Sequence, residues 1–146
     1  MKQQLILIRG LPGSGKTTLA ELLAEPLNAC HFEADHYFEE EDKENHEKTV
    51  YNFDPTKLKE AHESCQNWCR SALAAGRSVI ISNTFSRIRE LQPYLDMAVE
   101  FGVNPQVILK EGNYGSIHKV PEATIQRMKD RWEMYLPPYG WTSTGA

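Results

Sequence analysis

The apolar positions of this chain fall alternately into short dense runs and longer stretches with helical spacing. Residues 4–9, centred on Leu5-Ile6-Leu7-Ile8, show no apolar–polar alternation, as expected of a central parallel strand covered on both faces. A helix is predicted from about Gly15 to Glu25, with Leu19, Leu22 and Leu23 at helical spacing and Pro26 marking its stop. A short strand near Ala29 to Glu33 then passes into the loop Ala34-Asp35-His36-Tyr37-Phe38. Residues 39–48, EEEDKENHEK, are charged almost throughout and predict a solvated, mobile insert. Asp54-Pro55 reads as an N-cap and first helical position, opening a long helix that Gly76 closes.

The β-branched run Ser78 to Ser82 predicts a third buried strand, ending at Asn83-Thr84. Ser86 is placed to cap a helix reaching Phe101, which Gly102 terminates, and Pro105 to Leu109 supplies a fourth strand. A glycine-containing loop at 111–120 precedes a last helix from about Pro121 to Met134, and residues 137–146 read as an irregular tail. Strand and helix thus alternate four times without repeat or linker. That order predicts an α/β fold in one domain over residues 1–136, a mainly parallel sheet with helices on both sides.

Composition narrows the setting. A length of 146 residues supports one core, and 40% hydrophobic with 25% charged residues is ordinary for a soluble protein. A net charge of −4 argues against a generalised electrostatic grip on nucleic acid, while leaving room for a local basic groove. The N-terminal apolar run is too short for a signal peptide, and no stretch approaches the ~18 apolar residues of a membrane span. Three cysteines, an odd number, suggest reduced thiols and a cytoplasmic location. His62, Cys65 and Cys69 share a helical face, but no fourth metal ligand is evident and helix packing is the expected use.

The chemistry concentrates between the first strand and the first helix. Gly10, Leu11, Pro12, Gly13, Ser14, Gly15, Lys16, Thr17 and Thr18 spell the phosphate-binding P-loop, G-x-x-x-x-G-K-T. Its glycines let the backbone approach a phosphate and turn successive N–H groups inward, and the following helix adds its own unsatisfied N–H groups. Lys16 supplies a point charge for the terminal phosphates of ATP, and the Thr17 hydroxyl is placed to ligate Mg²⁺. The aspartate that ends a later strand in many P-loop ATPases is missing: the third strand here ends in Ser82, Asn83 and Thr84. Asp35, at the end of the second strand, is the candidate base for an attacking hydroxyl. Arg127 and Arg131, four apart on the last predicted helix, are candidate cationic clamps, with Arg87 and Arg89 a second pair.

With these motifs the chain resembles the small P-loop kinases related to the phage polynucleotide 5′-hydroxyl kinase domain, often labelled AAA-family ATP-binding proteins. GLPGSGKTT at 10–18, ADHYF at 34–38, FDP with LKEAHESCQ at 58–66, VIISNT at 79–84 and HKVPEATIQRM at 118–128 carry the resemblance. It implies a nucleoside-kinase-like three-layer sandwich, a lid over about 111–120, Asp35 as general base, and Lys16 and Thr17 as phosphate and Mg²⁺ residues. Three positions depart from the pattern: Ser82 stands where related kinases often have aspartate, Phe38 where the phage enzyme has a substrate-binding arginine, and 111–119 contains no arginine. The expected activity is transfer of the γ-phosphoryl group of ATP to a hydroxyl acceptor, either a nucleic-acid 5′ end or a small molecule. The alternative is a nucleotide-binding module or switch with weak ATPase activity and a protein partner.

Overall fold

The unbroken run Leu5-Ile6-Leu7-Ile8 lies in strand β1 (Leu5–Arg9), which is buried at every position. The structure, a computed structural model, describes residues 2–115 and 119–136. After β1 come α1 (Lys16–Leu27), β2 (Cys30–Phe32), a 3₁₀ turn (Ala34–Phe38), β3 (Glu39–Glu41) and β4 (Thr49–Tyr51). The chain continues through α2 (Leu58–Ala74), β5 (Val79–Asn83), α3 (Ile88–Phe101), β6 (Pro105–Leu109) and α4 (Glu122–Asp130). One sheet has the order β2-β5-β1-β6, and all of its pairs are parallel. Leu5 lies opposite Val79 and Pro105, and Arg9 opposite Asn83 and Leu109.

The two-residue period of β1 sorts its side chains between two cores. Leu5 and Leu7 join Cys65, Cys69 and Leu73 of α2 and Leu91, Tyr94 and Met97 of α3. Ile6 and Ile8 pack with Ala20, Leu19, Leu23 and Ala24 of α1. The result is the expected three-layer α/β sandwich: α2 and α3, the sheet, then α1. Because the strands run parallel, their C-terminal ends share one edge, where ligands bind in open α/β sheets.

Several local expectations are corrected. Pro26 does not stop α1 but sits in its last turn, where a missing N–H removes a single helical bond. The helix ends at Asn28, left-handed at φ 48, with the Ala29 N–H bonding back to the Ala24 carbonyl at 2.9 Å. Helix α3 starts at Ile88, and Ser86 is not its acceptor cap. The Ser86 hydroxyl and the Arg87 N–H both donate to Glu90 Oε1, at 3.1 and 3.2 Å. Helix α4 ends at Asp130 rather than Met134, because the next segment is drawn onto the start of α3. The Glu133 N–H donates to the Ser86 carbonyl and the Ile88 N–H to Glu133 Oε1, both at 2.8 Å.

The charged insert is also more ordered than its composition suggests. β3 and β4 form an antiparallel hairpin, with Glu39 opposite Tyr51 and Glu40 opposite Val50. Its hydrophobic anchor lies at the ends of the insert. Phe38 is buried, with the Phe53 ring 5.1 Å and the Tyr51 ring 6.2 Å from its own. Charge therefore set exposure, while flanking aromatics supplied the packing. The irregular tail expected at 137–146 lies outside the described residues, as do positions 116–118 of the expected lid.

The packing predicts unequal costs for two leucines. Leu91→Ala, fully buried in α3, is expected to lower the unfolding free energy by about 2–5 kcal/mol in urea titration. Leu22→Ala, 69% exposed on α1, is expected to change it by less than about 0.5 kcal/mol.

Candidate nucleotide site

The P-loop begins where β1 runs out of room for side chains. A Cβ on Gly10 would sit 2.5 Å from Ser14 Oγ and 2.6 Å from the Lys110 carbonyl oxygen, so only glycine fits. Both neighbouring strand ends hold it there: the Gly10 N–H donates to the Thr84 carbonyl at 3.3 Å and the Lys110 N–H to that of Arg9 at 2.8 Å. Gly13 and Gly15 take φ 81 and 88, the left-handed region that wraps backbone N–H groups around an anion. No side chain caps α1 at Gly15 and no acidic residue lies in its first turn, so the N–H groups of Lys16, Thr17 and Thr18 face a place suited to phosphate. Ser14 Oγ is buried without a hydrogen-bond partner among the described residues.

Lys16 reaches back to the Leu11 carbonyl at 3.4 Å. Burial pulls its pKa down, opposed by the nearby carboxylates of Glu33 and Asp35. Asp35 is on the 3₁₀ turn after β2, and its Oδ1 accepts a hydrogen bond from Tyr51 Oη at 2.9 Å. Burial, and next the Asp35 charge, push the Tyr51 phenol up, so it stays a donor. The β3–β4 hairpin thus supports Asp35. Phe38, in the same turn, is buried with its ring edge-on to that of Tyr51.

The residue that sequence reasoning missed is Glu33. Its side chain is about 10% exposed, and one oxygen, Oε2, accepts from both Thr17 Oγ1 and Ser82 Oγ at 2.9 Å. His31 Nε2 contacts Ser82 Oγ at 2.6 Å. With the Ser82 proton donated to Glu33, His31 is the donor in that contact, giving a chain from His31 through Ser82 to Glu33. Burial lowers the His31 pKa, with Glu33 opposing, so this chain can run from a neutral imidazole. On the other side His36 Nε2 lies 3.6 Å from Glu33 Oε1, and the Glu33 N–H donates to His36 Nδ1 at 3.3 Å. Asn83 Oδ1 accepts from the Ala34 N–H at 2.8 Å and so fixes the start of the turn that carries Asp35. The polar end of β5 therefore orients β2. The only signal in the sequence was the acidic residue two places before Asp35, beside a strand that lacks its own aspartate.

The arginines separate. Arg127 donates to Thr124 Oγ1 on its own helix at 3.0 Å, and Arg131, just past the helix, donates from Nε to Ser86 Oγ at 2.8 Å. Arg131 meets Arg87 and Arg89 instead, with Lys59 and His62, around a cavity of about 490 Å³ between α2 and α3. Two further cations were not foreseen. Arg9 is buried at the end of β1, donates twice to the Phe85 carbonyl at 3.0 and 2.6 Å, and lies 4.4 Å from the Trp132 ring centre. Lys110, at the end of β6, runs beside the P-loop, its Cε 3.7 Å from where a Gly15 Cβ would be. The Tyr114 N–H donates to the Gly13 carbonyl at 2.8 Å, so the first residues of the expected lid rest on the loop. A second cavity of about 460 Å³ opens beside Leu11 and Pro12, walled by Asn113, Ile125, Gln126 and Lys129. Cys65 and Cys69 point into the core, where burial raises their pKa values, while His62 faces the basic cavity. Among the described residues no cluster of histidine, cysteine and acidic side chains could hold a metal unaided. Mg²⁺ makes a different demand, because beside a nucleotide it needs only one or two protein oxygens. Thr17 and Glu33 fit that demand.

A family model described as an AAA domain matches residues 5–134, and the chain belongs to that family. Human NEDD4-binding protein 2 is 30% identical over 145 residues, covering 90% of this chain and 8% of that relative. The chain thus spans under a tenth of that protein's length. A gluconokinase from Sinorhizobium meliloti 1021 superposes with a TM-score of 0.59 at 18% identity, over 94% of this chain and 77% of that one. A chain of the Pnkp1/Rnl/Hen1 complex gives 0.57 at 17% identity, over 95% and 42%. At such identities the structural likeness establishes the P-loop kinase fold. Among the described residues no helix is long and apolar enough to cross a membrane.

The close approach at Gly10 predicts the result of a single methyl group. In calorimetric titration with ATP, Gly10→Ala is expected to bind about tenfold or more weakly, equivalent to roughly 1.4 kcal/mol of loop distortion. Wild-type affinity in that variant would contradict the steric argument.

Proposed function

We propose that this chain is a Mg²⁺-dependent kinase that transfers the γ-phosphoryl group of ATP to a hydroxyl, with Asp35 as general base. The observation that carries the reading is the position of Asp35: its carboxylate is held by Tyr51 and acts electrostatically on Lys16, the residue suited to the terminal phosphates. In the step proposed, the acceptor oxygen attacks the γ-phosphorus, the bond from that phosphorus to the bridging oxygen breaks, and ADP leaves. The acceptor's proton passes to Asp35. Lys16 and the first N–H groups of α1 stabilise the charge on the phosphates, and Thr17 is the hydroxyl ligand for Mg²⁺, whose bound charge would offset that of the phosphates.

For the acceptor, the basic cavity supports an anionic molecule. Arg131, Arg87, Arg89 and Lys59 outnumber the one carboxylate of its lining, Glu90, although the chain as a whole carries a charge of −4. A nucleic-acid 5′ end fits this lining, with Arg131 on the acceptor side; Arg127 keeps a clamp role only by leaving Thr124. The absence of arginine from 111–119 favours the second reading, a nucleotide-binding switch with weak ATPase activity and a protein partner.

One assay separates the two: γ-labelled ATP offered with 5′-hydroxyl oligonucleotides and a panel of small hydroxyl compounds. Label is expected on an acceptor, and Asp35→Asn is expected to slow transfer by about 10²–10⁴-fold with ATP affinity retained. Undiminished transfer in Asp35→Asn would reject that residue as the base. ATP binding by the wild-type chain with no label on any acceptor would favour the switch. Lys16→Ala is expected to lose both binding and transfer, and retention of both would refute the P-loop assignment.

A further inference from the structure

The chain lacks an aspartate at the end of β5, yet the carboxylate is not missing from the site. We propose that Glu33, reaching from β2, is the acidic partner of the nucleotide-bound divalent cation, taking the part that a β5 aspartate has in many P-loop ATPases. The inference rests on nucleotide binding by the P-loop and is independent of any phosphoryl acceptor.

Three observations converge on Glu33. The first is register. Cys30, His31 and Phe32 lie opposite Val79, Ile80 and Ile81, so the next step of the parallel ladder brings Glu33 level with Ser82, where the aspartate is lacking. Ser82 is short, and its hydroxyl donates to Glu33 Oε2 at 2.9 Å, which puts the carboxylate beside the space that a longer acidic side chain at 82 would fill.

The second is the direction of the Thr17 proton. Thr17 Oγ1 donates to the same Glu33 oxygen at 2.9 Å. A hydroxyl that ligates a cation must offer a lone pair to it and send its proton elsewhere. Glu33 accepts that proton, which commits the Thr17 lone pairs to the phosphate side. An ordinary buried glutamate needs acceptor contacts satisfied, but it has no need to take them from the one P-loop hydroxyl suited to Mg²⁺.

The third is charge: Lys16 acts on Glu33 only at a distance, without closing an ion pair. Glu33 is about 10% exposed, and among the described residues no lysine or arginine closes an ion pair with it; its ionic neighbours within 4 Å are His31 and His36. A buried carboxylate is costly unless a cation accompanies it. A divalent ion on Thr17 would supply that charge, with Glu33 either as a direct ligand or through a bound water.

The experiment uses the full chain with Mn²⁺ as the probe. Loss of the free Mn²⁺ signal in electron paramagnetic resonance measures cation binding in the presence of ATP, and a parallel titration in EDTA measures ATP binding without metal. Glu33→Gln is expected to lose about 10- to 100-fold in Mn²⁺ affinity while its affinity for ATP in EDTA is unchanged. Moving the carboxylate back, with Ser82→Asp in a Glu33→Ser background, is expected to restore Mn²⁺ affinity. Wild-type Mn²⁺ affinity in Glu33→Gln would overturn the proposal. So would equal losses with Mn²⁺ and in EDTA, because Glu33 would then shape the loop rather than serve the cation. Failure of the wild-type chain to bind ATP under either condition would instead defeat the nucleotide reading on which the proposal rests.

Discussion

Strand β1 is hydrogen-bonded on both edges, and the site exists because of that constraint. Held between β5 and β6 and packed on both faces, it has no freedom to slide. A shift of one residue would turn Leu5 and Leu7 toward α1 and leave Ile6 and Ile8 against α2 and α3. The register therefore determines what stands around Gly10: Thr84 from one neighbouring strand, Lys110 from the other, and the left-handed glycines that follow. A phosphate-binding loop needs backbone N–H groups converging on one anion, and a strand pinned on both sides provides a rigid base for them.

The second organising feature is a layer of polar side chains along the adjacent strand ends. Ser82 and Asn83 hold Glu33 and the Ala34 N–H, so the end of β5 sets the path of β2. From there the chain turns tightly and presents Asp35, while the aromatic packing of Phe38, Tyr51 and Phe53 brings the Tyr51 hydroxyl to the same carboxylate. Two acidic groups consequently share the field of Lys16 from different supports. Glu33 is buried and bonded to Thr17, whereas Asp35 is half-buried and oriented from the hairpin. The two proposed roles divide along the same lines, Glu33 toward the cation and Asp35 toward an attacking hydroxyl.

Charge is distributed unevenly. Glu39, Glu40, Glu44 and Glu47 of the hairpin are exposed, whereas cations gather where α2, α3 and the segment after α4 meet. That meeting depends on Arg9, whose guanidinium bonds the Phe85 carbonyl and stacks on Trp132, and on Glu133, which accepts the Ile88 N–H. Anchoring the segment this way ends α4 early and swings Arg131 to Ser86, so the basic cavity is a product of tertiary packing rather than of helical spacing.

By itself the sequence determined the parts whose causes are local or periodic. The P-loop was legible because its glycines and Lys16 work through backbone conformation and position along the chain, and the strands because β1 and β5 are continuous apolar runs in an alternating order. Asp54-Pro55 opened a 3₁₀ turn, Pro55–Lys57, rather than the long helix itself, which starts at Leu58; Asp54 Oδ1 accepts the Thr56 N–H at 3.0 Å, and Gly102 closed α3 as expected. Tertiary structure alone decided what depends on strand order and on distant partners. Nothing local places Glu33 against Thr17 and Ser82, which are 16 and 49 residues away, or sends Arg131 toward Ser86, 45 residues away, instead of beside Arg127. Side-chain identity and spacing specify what a residue can do, but which groups share a site follows from the order β2-β5-β1-β6, which becomes physical only when the sheet is assembled.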